Sequence, residues 1–400
     1  MKKINEKEGM SLIVLTITII VMFILSGVII VGLSDNNPIS KANRAKFETD
    51  FANYKEELSA YLVNRLYEDY KFNPETIEAK AEDMKKYISS MNEQYYNEFE
   101  IVKGELIYIG TSDQGLAEEV YSQGLVAYFS PLTPPEYDEI GNYWYWPITL
   151  IGQQQACSIK GAKICGWNFP AGVEEKYKNG EFSTFNGSAG ATYKSGYDPE
   201  KKSYNLDGTN DYMVIDNDMI LDVSRERKTA SKITNITADK SFTMSVTAIA
   251  KKFGVTSKIL VQRPNVTNYN FIGFTTNSLG KLAPYLGACN GMTTDLKGAV
   301  KVSVANFNVN SFVKVTASLN GKENNLYING RKANTEVYNA QALDVNTQPA
   351  YWNIGRQHTE DSNNASQYAA LELKTITFWE DTLDSSTIYQ NYKTEKVMEE

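Results

Sequence analysis

The chain has 400 residues, a net charge of −8, one histidine and three cysteines. That acidic balance, with no basic cluster beyond the first few residues, argues against nucleic acid as a partner. A single histidine and the lack of a CxxC pair argue against zinc.

The amino-terminal run comes first. Lys2, Lys3 and Lys7 lie in a short leader ending at Gly9, and no charged residue follows from Met10 to Leu33. As a helix this stretch is about 36 Å long at roughly 1.5 Å per residue, enough to cross a ~30 Å hydrocarbon core. Positive charge ahead of the span keeps the leader cytoplasmic and places everything after Asp35 outside. A cleaved secretory signal fits poorly, since its apolar core is shorter and Ser26-Gly27 lies inside the run. A plain single-pass anchor needs only the span and the leader.

A third reading rests on Glu8-Gly9-Met10-Ser11-Leu12-Ile13. A charged leader, a glycine and an immediate apolar helix resembles the class III signal of type IV pilins and pseudopilins. The resemblance implies that a prepilin peptidase cuts after Gly9 and methylates Met10. It also implies that Leu12, Ile13, Val14, Leu15 and Ile17 sit first in the membrane and then in a filament core. The partners would be other pilin-like subunits and their assembly machinery. Val14 departs from the family, which usually has Glu there. Loss of that carboxylate weakens stacking on a neighbouring subunit and points to a minor or tip subunit.

Beyond the span, Asn37-Pro38 marks a break. Phe47, Phe51, Tyr54, Leu58, Tyr61, Leu62 and Leu66 then recur at steps of three and four, which predicts an amphipathic helix over 42–67. Asn73-Pro74 opens a predicted short helix through Met84 and Tyr87. Glu98 to Val102 and Leu106 to Ile109 alternate around Lys103-Gly104-Glu105, a predicted hairpin. Leu116 to Tyr121 reads as another short helix. Together 34–130 make a small pilin-like α+β module.

From 131 to 202 prolines, Gly, Ser and Asn cluster around Tyr143-Trp144-Tyr145-Trp146, and this stretch reads as a connecting region. The aromatic block is either packing for a domain junction, the plainer reading, or a stacking platform for sugars. Cys157 and Cys165 are close enough in sequence for a disulfide worth roughly 2.5 kcal/mol, leaving Cys289 over. His358 lies in a polar loop with a surface role.

The remainder, 203–395, is predicted to be all β. Phe242, Met244, Val246 and Ala248 alternate with polar neighbours, as do Val313, Val315, Ala317 and Leu319, and then Leu326 and Ile328. Asn320-Gly321 and Asn329-Gly330 supply turns, so a sandwich or jelly roll is expected. Tyr204-Asn205-Leu206-Asp207-Gly208-Thr209-Asn210-Asp211-Tyr212, the hairpin Val315–Gly321 with Leu326–Arg331, Ile354-Gly355-Arg356 and Leu371–Trp379 together resemble laminin G-like, concanavalin A-like domains. Such domains include lectins, protein-binding modules and glycoside hydrolases, so the resemblance implies a glycan or protein ligand without fixing an activity.

Asp207 and Asp211, with Asp216 and Asp218 nearby, are candidate Ca²⁺ ligands, since hard oxygens in loops suit that ion. Against this, Asp and Asn are ordinary turn formers, and no cofactor is required. A retaining hydrolase needs two carboxylates at close spacing. Glu136-Tyr137-Asp138-Glu139 begins an ExDxxE pattern, but Gly141 stands where the last Glu belongs. No other nucleophile and base set is present, so the chain is expected not to be an enzyme.

The fold expected is α+β: leader 1–9, membrane or filament-core helix 10–33, pilin-like module 34–130, connection 131–202, and sandwich 203–395. The function expected is a minor or tip subunit that is single-pass in the membrane before assembly and then extracellular. The alternatives are an anchored binding protein that never polymerises, or a surface glycoside hydrolase.

Overall fold

The computed structural model describes residues 38–69, 71–110, 121–122, 124–151, 159–216, 219, 241–252, 258–263, 272–275, 285–286, 300–301, 311–337, 351–356 and 368–399. The expectations for Gly9, Met10, Leu12, Ile13, Val14, Leu15, Ile17, the helix at 116–120, Cys157, Asp218, Cys289 and His358 lie outside them. Among the described residues, no helix is long and apolar enough to cross a membrane.

Helix α1 (Pro38–Glu68) spans 31 residues, with proline at its first position. It lies on a three-stranded antiparallel sheet in the order β1 (Ala79–Lys80), β2 (Phe99–Val102), β3 (Glu105–Tyr108). Phe47, Tyr54 and Leu58 bury against Met84, Ile88, Phe99, Leu106 and Tyr108. The Phe47 ring stacks on Phe99 at 5.8 Å and meets Tyr108 edge-on at 5.0 Å. The apolar stripe stops at Leu62, since Leu66 is 39% exposed. Glu57 then fixes the helix to the module by accepting from the Ser89 N–H at 2.7 Å and the Ser89 hydroxyl at 2.6 Å.

The hairpin expected at Lys103-Gly104 is present, with φ of 52° and 77° at those two residues. Both angles are left-handed, as a two-residue hairpin turn requires. A side chain at Gly104 would meet the Pro74 carbonyl oxygen at 2.7 Å, so glycine is needed there. The expected helix from Pro74 to Tyr87 is instead two short 3₁₀ pieces, Pro74–Thr76 and Ala81–Lys86, with β1 between them. Pairing Ala79 and Lys80 to β2 takes precedence over helix continuity.

The rest is mostly β, in two large antiparallel sheets. Its strands in chain order are β4 (Leu125–Phe129), β5 (Glu136–Asp138), β6 (Tyr143–Pro147), β7 (Gly161–Cys165), β8 (Gly196–Asp198), β9 (Ser203–Asp207), β10 (Tyr212–Ile215), β11 (Ser241–Lys252), β12 (Lys258–Arg263) and β13 (Ile272–Thr275). They continue with β14 (Tyr285–Leu286), β15 (Val300–Lys301), β16 (Val313–Asn320), β17 (Glu323–Ile328), β18 (Arg331–Val337), β19 (Tyr351–Ile354) and β20 (Ala370–Trp379). One sheet has seven strands in the order β13-β12-β19-β10-β7-β6-β5, and the other has eight. The eight-stranded sheet runs β18-β17-β16-β11-β20-β9-β8. Its eighth strand, β4, pairs with the second half of β20, whose first half pairs with β9. Strands β14 and β15 pair separately.

The region 131–202 is therefore not a connection. It supplies β5, β6, β7 and β8 to the two sheets, and the sandwich begins as early as β4. Prolines there sit at strand ends and in turns, while Trp146 and Ile164 enter the shared core. That core lies between the sheets. Trp146 of one stacks on Tyr204 of the other at 4.3 Å, and Trp352 meets Phe378 at 4.9 Å. One end is closed by an aromatic cluster around the short helix α2 (Val173–Lys178), where Tyr177 meets Trp144 at 5.6 Å and Phe169 meets Phe185 at 4.8 Å.

Helix α3 (Ser385–Glu399) starts at Asp384, which accepts from the Thr387 N–H at 2.7 Å as an N-cap. It covers the polar outer face of the eight-stranded sheet, so Thr243, Ser245, Thr375 and Thr377 are all 0% exposed. On its other side it meets the amino-terminal module. Tyr389 packs with Ile107 and Ile109, and the buried Glu100 accepts from Tyr389 at 3.1 Å and Lys393 at 3.2 Å.

Candidate functional site

One face of each sheet is consumed by the core, and α3 with the module takes the outer face of the eight-stranded sheet. The outer face of the seven-stranded sheet lies on the opposite side of the sandwich. Strand alternation decides which residues it presents. In β6, Trp144 and Trp146 sit in the core, Tyr145 on the alternate face is also buried at 7% exposed, and Tyr143 is left half-buried at the surface. The aromatic block is therefore part of the sandwich core rather than packing for a domain junction, with Tyr143 at its outer side.

Register extends the face across the sheet. Tyr145 pairs with Lys163, Lys163 with Val214, and Val214 with Asn353. In the adjoining row Cys165 pairs with Tyr212. Tyr143, Lys163, Cys165, Tyr212, Val214 and Arg356 are all half-buried. Lys163 Nζ lies 4.6 Å from the Tyr143 ring centre, and Arg356 Cζ lies 4.7 Å from Tyr212 and 5.3 Å from Tyr368. The result is a row of tyrosine faces interleaved with cations.

At the β5 edge, Lys160 pairs with Asp138 and lies 4.3 Å over Tyr145, while the Tyr145 hydroxyl donates to Glu136. Lys160 and the Gly141 N–H hold the Asp138 carboxyl down at about 2. Burial and Glu136 push the Tyr145 hydroxyl up. The Tyr212 hydroxyl is pushed up to about 12 by burial and by Cys165, to which it is hydrogen-bonded. Cys165 is a free thiol here, and burial raises it. Its expected disulfide partner, Cys157, is outside the described residues.

Chemically, such a face offers rings that stack on the C–H faces of sugars, with ammonium, guanidinium and carboxylate groups at the side for hydroxyls. Lys163 was not legible as a site residue. The signal was present in Gly161-Ala162-Lys163-Ile164-Cys165, whose alternation fits a strand beside Tyr143 to Trp146.

Of the acidic residues named for Ca²⁺, the structure brings Asp207 and Asp211 together at the corner where the chain passes from β9 to β10. They are 1% and 0% exposed. Asp207 Oδ1 accepts from the N–H groups of Thr209 at 2.7 Å and Asn210 at 3.3 Å. Asp211 Oδ2 accepts from the Ser195 hydroxyl at 2.5 Å and the Asp207 N–H at 3.0 Å. Asp207 Oδ2 and Asp211 Oδ1 are buried with no hydrogen-bond partner. Burial, and then the charge of Asp207, push Asp211 up to about 7. These hard, unpartnered oxygens fit a Ca²⁺ ion. Among the described residues no third Asp, Glu, His or Cys completes a cluster, so further ligands would be backbone, hydroxyl or water oxygens. Asp216 does not join the pair; its carbonyl accepts from the Met219 N–H.

No family model matches the sequence, and no curated protein matches it. Among solved structures, the chain is similar to domain 4 of an extracellular arabinanase from Geobacillus stearothermophilus, solved with arabinotriose. Identity is 12%, covering 67% of this chain and 97% of that one, with a TM-score of 0.37. It is also similar to a sialidase of Trypanosoma rangeli, at 12% identity, 69% of this chain and 33% of that one, with a TM-score of 0.39. A third is botulinum neurotoxin type C, whose cell entry depends on two ganglioside molecules, at 13% identity, 47% and 40% coverage, and a TM-score of 0.32. The chain thus spans about a third of the sialidase. Likeness at these TM-scores bears on neither ligand nor activity.

The expectation that the chain is not an enzyme is withdrawn, because its structural premise fails. Glu136 and Asp138 do not precede the sandwich but lie in β5, an edge strand of it.

Proposed function

We propose that the chain is a minor or tip subunit of a type IV pilus or related filament, displaying a glycan-binding sandwich. The observation that supports the filament part is α1. It begins a few residues after the uncharged run 10–33 and lays its apolar stripe on a small antiparallel sheet, which suits the outer half of a pilin-like spine. In this reading the prepilin peptidase processes the chain at Gly9, and the mature protein passes from the membrane to the cell surface.

The tyrosine and cation row supports a glycan as ligand, and its position supports display. With the module and α3 on one side of the sandwich, Tyr143, Lys163, Tyr212 and Arg356 lie on the other. The test has two parts. Filaments sheared from cells should contain the protein, and the purified sandwich face should retain oligosaccharides on a glycan array. Release of sugar from those oligosaccharides would turn the reading to hydrolysis.

A second reading, an anchored binding protein that does not polymerise, is favoured by Val14 in place of the usual Glu. It predicts the protein in membranes and none in the sheared fraction.

A further inference from the structure

The turn between β5 and β6 holds one ring of the proposed glycan face, and it does so with a residue that has no side chain. Asp138 closes the turn by accepting from the Ile140 N–H at 3.0 Å and the Gly141 N–H at 2.8 Å. Its carboxyl also pairs with Lys160, and the Tyr143 hydroxyl is a further donor to it. Asn142, left-handed at φ 54°, accepts from the Tyr137 hydroxyl. Side chains from β5 and from the residue before β7 thus fix the backbone of the turn.

Tyr143 leaves this turn as the first residue of β6, opposite Asp138. A Cβ at Gly141 would lie 2.1 Å from Cε1 of the Tyr143 ring, 2.7 Å from Cδ1 and 3.0 Å from Cζ. No side chain fits at such distances, so the ring occupies the space that any other residue at 141 would fill. Conformation is not what calls for glycine here, since Gly141 lies outside the left-handed region. Lys163 and Lys160 bound the ring as well, with ammonium groups 4.6 Å and 5.7 Å from its centre. The ring stays half-buried, so part of it faces out. Stacking depends on ring orientation, and a ring already held gives up little rotamer freedom on binding.

We propose that Gly141 is a positioning residue of this face: by lacking a side chain it lets the Tyr143 ring lie against the turn, preset for stacking on a sugar. This rests on the glycan reading given above. Gly141, which interrupts the ExDxxE pattern, is then the position from which the ring excludes a side chain.

The experiment uses the full chain with two readouts. Acetylation of tyrosine hydroxyls by N-acetylimidazole, read residue by residue from peptide masses, reports the ring. Retention on an oligosaccharide array reports binding. Gly141→Ala keeps the N–H that Asp138 accepts, so its unfolding midpoint should stay within about 2 °C of wild type. Its Tyr143 is expected to acetylate faster than in wild type, with Tyr212 unchanged. Retention should fall about tenfold, as in Tyr143→Ala, and the double variant should lose no more than Tyr143→Ala alone. Gly141→Ser, which carries the same Cβ, is the second variant. Acetylation of Tyr143 no faster than in wild type overturns the proposal, whatever the array shows. So does a double variant that loses clearly more than Tyr143→Ala, because Gly141 would then act other than through the ring. Faster acetylation with retention unchanged in both Gly141→Ala and Tyr143→Ala strikes the glycan reading of Tyr143, and this role of Gly141 with it.

Discussion

Lys314 and Glu395 form an ion pair whose side chains are 2% and 4% exposed, joining β16 to α3. Glu395 also accepts from Tyr121, from Thr247 at 3.0 Å and from Thr375 at 2.7 Å. Burial alone would raise the carboxyl, but the Lys314 charge and these donors hold it below the usual range. Every lone pair on the buried carboxylate is thus answered from the sheet or from Tyr121.

Breaking that pair by one member should be severe. Glu395→Gln or Lys314→Met leaves an uncompensated buried charge or polar group, at a cost of about 3–5 kcal/mol. The double replacement Lys314→Met with Glu395→Leu should recover most of the loss. Denaturant unfolding of the three variants checks this. Equal losses in single and double variants would mean that the pair is not what fastens α3.

Neighbours in β6 should behave oppositely. Trp144→Ala empties core volume and should cost about 3–5 kcal/mol. Tyr143→Ala, on the outer face, should change stability by about 1 kcal/mol or less while lowering glycan retention at least tenfold. Thermal melts beside array binding separate the two. If Trp144→Ala abolished binding at full stability, the assignment of faces would be wrong.

Two carboxylates on the α3 side should give pH effects of opposite sign. Glu100 is raised by burial, but Lys393 and Lys80 overcome this and bring it below 4.5. Its contribution to stability is therefore complete above the ordinary carboxyl range and lost as pH falls through the lower folded value. Glu399 is pushed up to about 8 by burial and by Glu395. Its neutral form suits the fold, so its contribution is complete below about 4.5 and lost as pH rises through about 8. Glu100→Gln should flatten the acid limb of the midpoint against pH. Glu399→Gln should raise the midpoint at pH 9 and leave it unchanged at pH 4.

Much of the sandwich was legible because its inner faces follow the two-residue period. Phe242, Met244, Val246 and Val313, Val315, Ala317 all lie in the core as that period requires. The hairpins at Lys103-Gly104 and Asn329-Gly330 were legible from turn chemistry. The strands from 136 to 198 were hidden because they are short and their prolines and glycines read as linker. The outer face of the eight-stranded sheet was also opaque. Its Thr and Ser side chains look solvent-facing by alternation, yet they are buried because a distant helix covers them. Of the proposed ligand face, the tyrosines were visible, but their neighbours Lys163 and Arg356 depend on strand order, which no local pattern encodes.

The proposed entry of this chain into a filament rests on residues 10–33. The mass of the mature amino terminus, measured on protein from cells with an active prepilin peptidase, tests it most directly. The account predicts a chain beginning at a methylated Met10. An unprocessed chain still carrying Met1 to Gly9, in cells that process other prepilins, would contradict it.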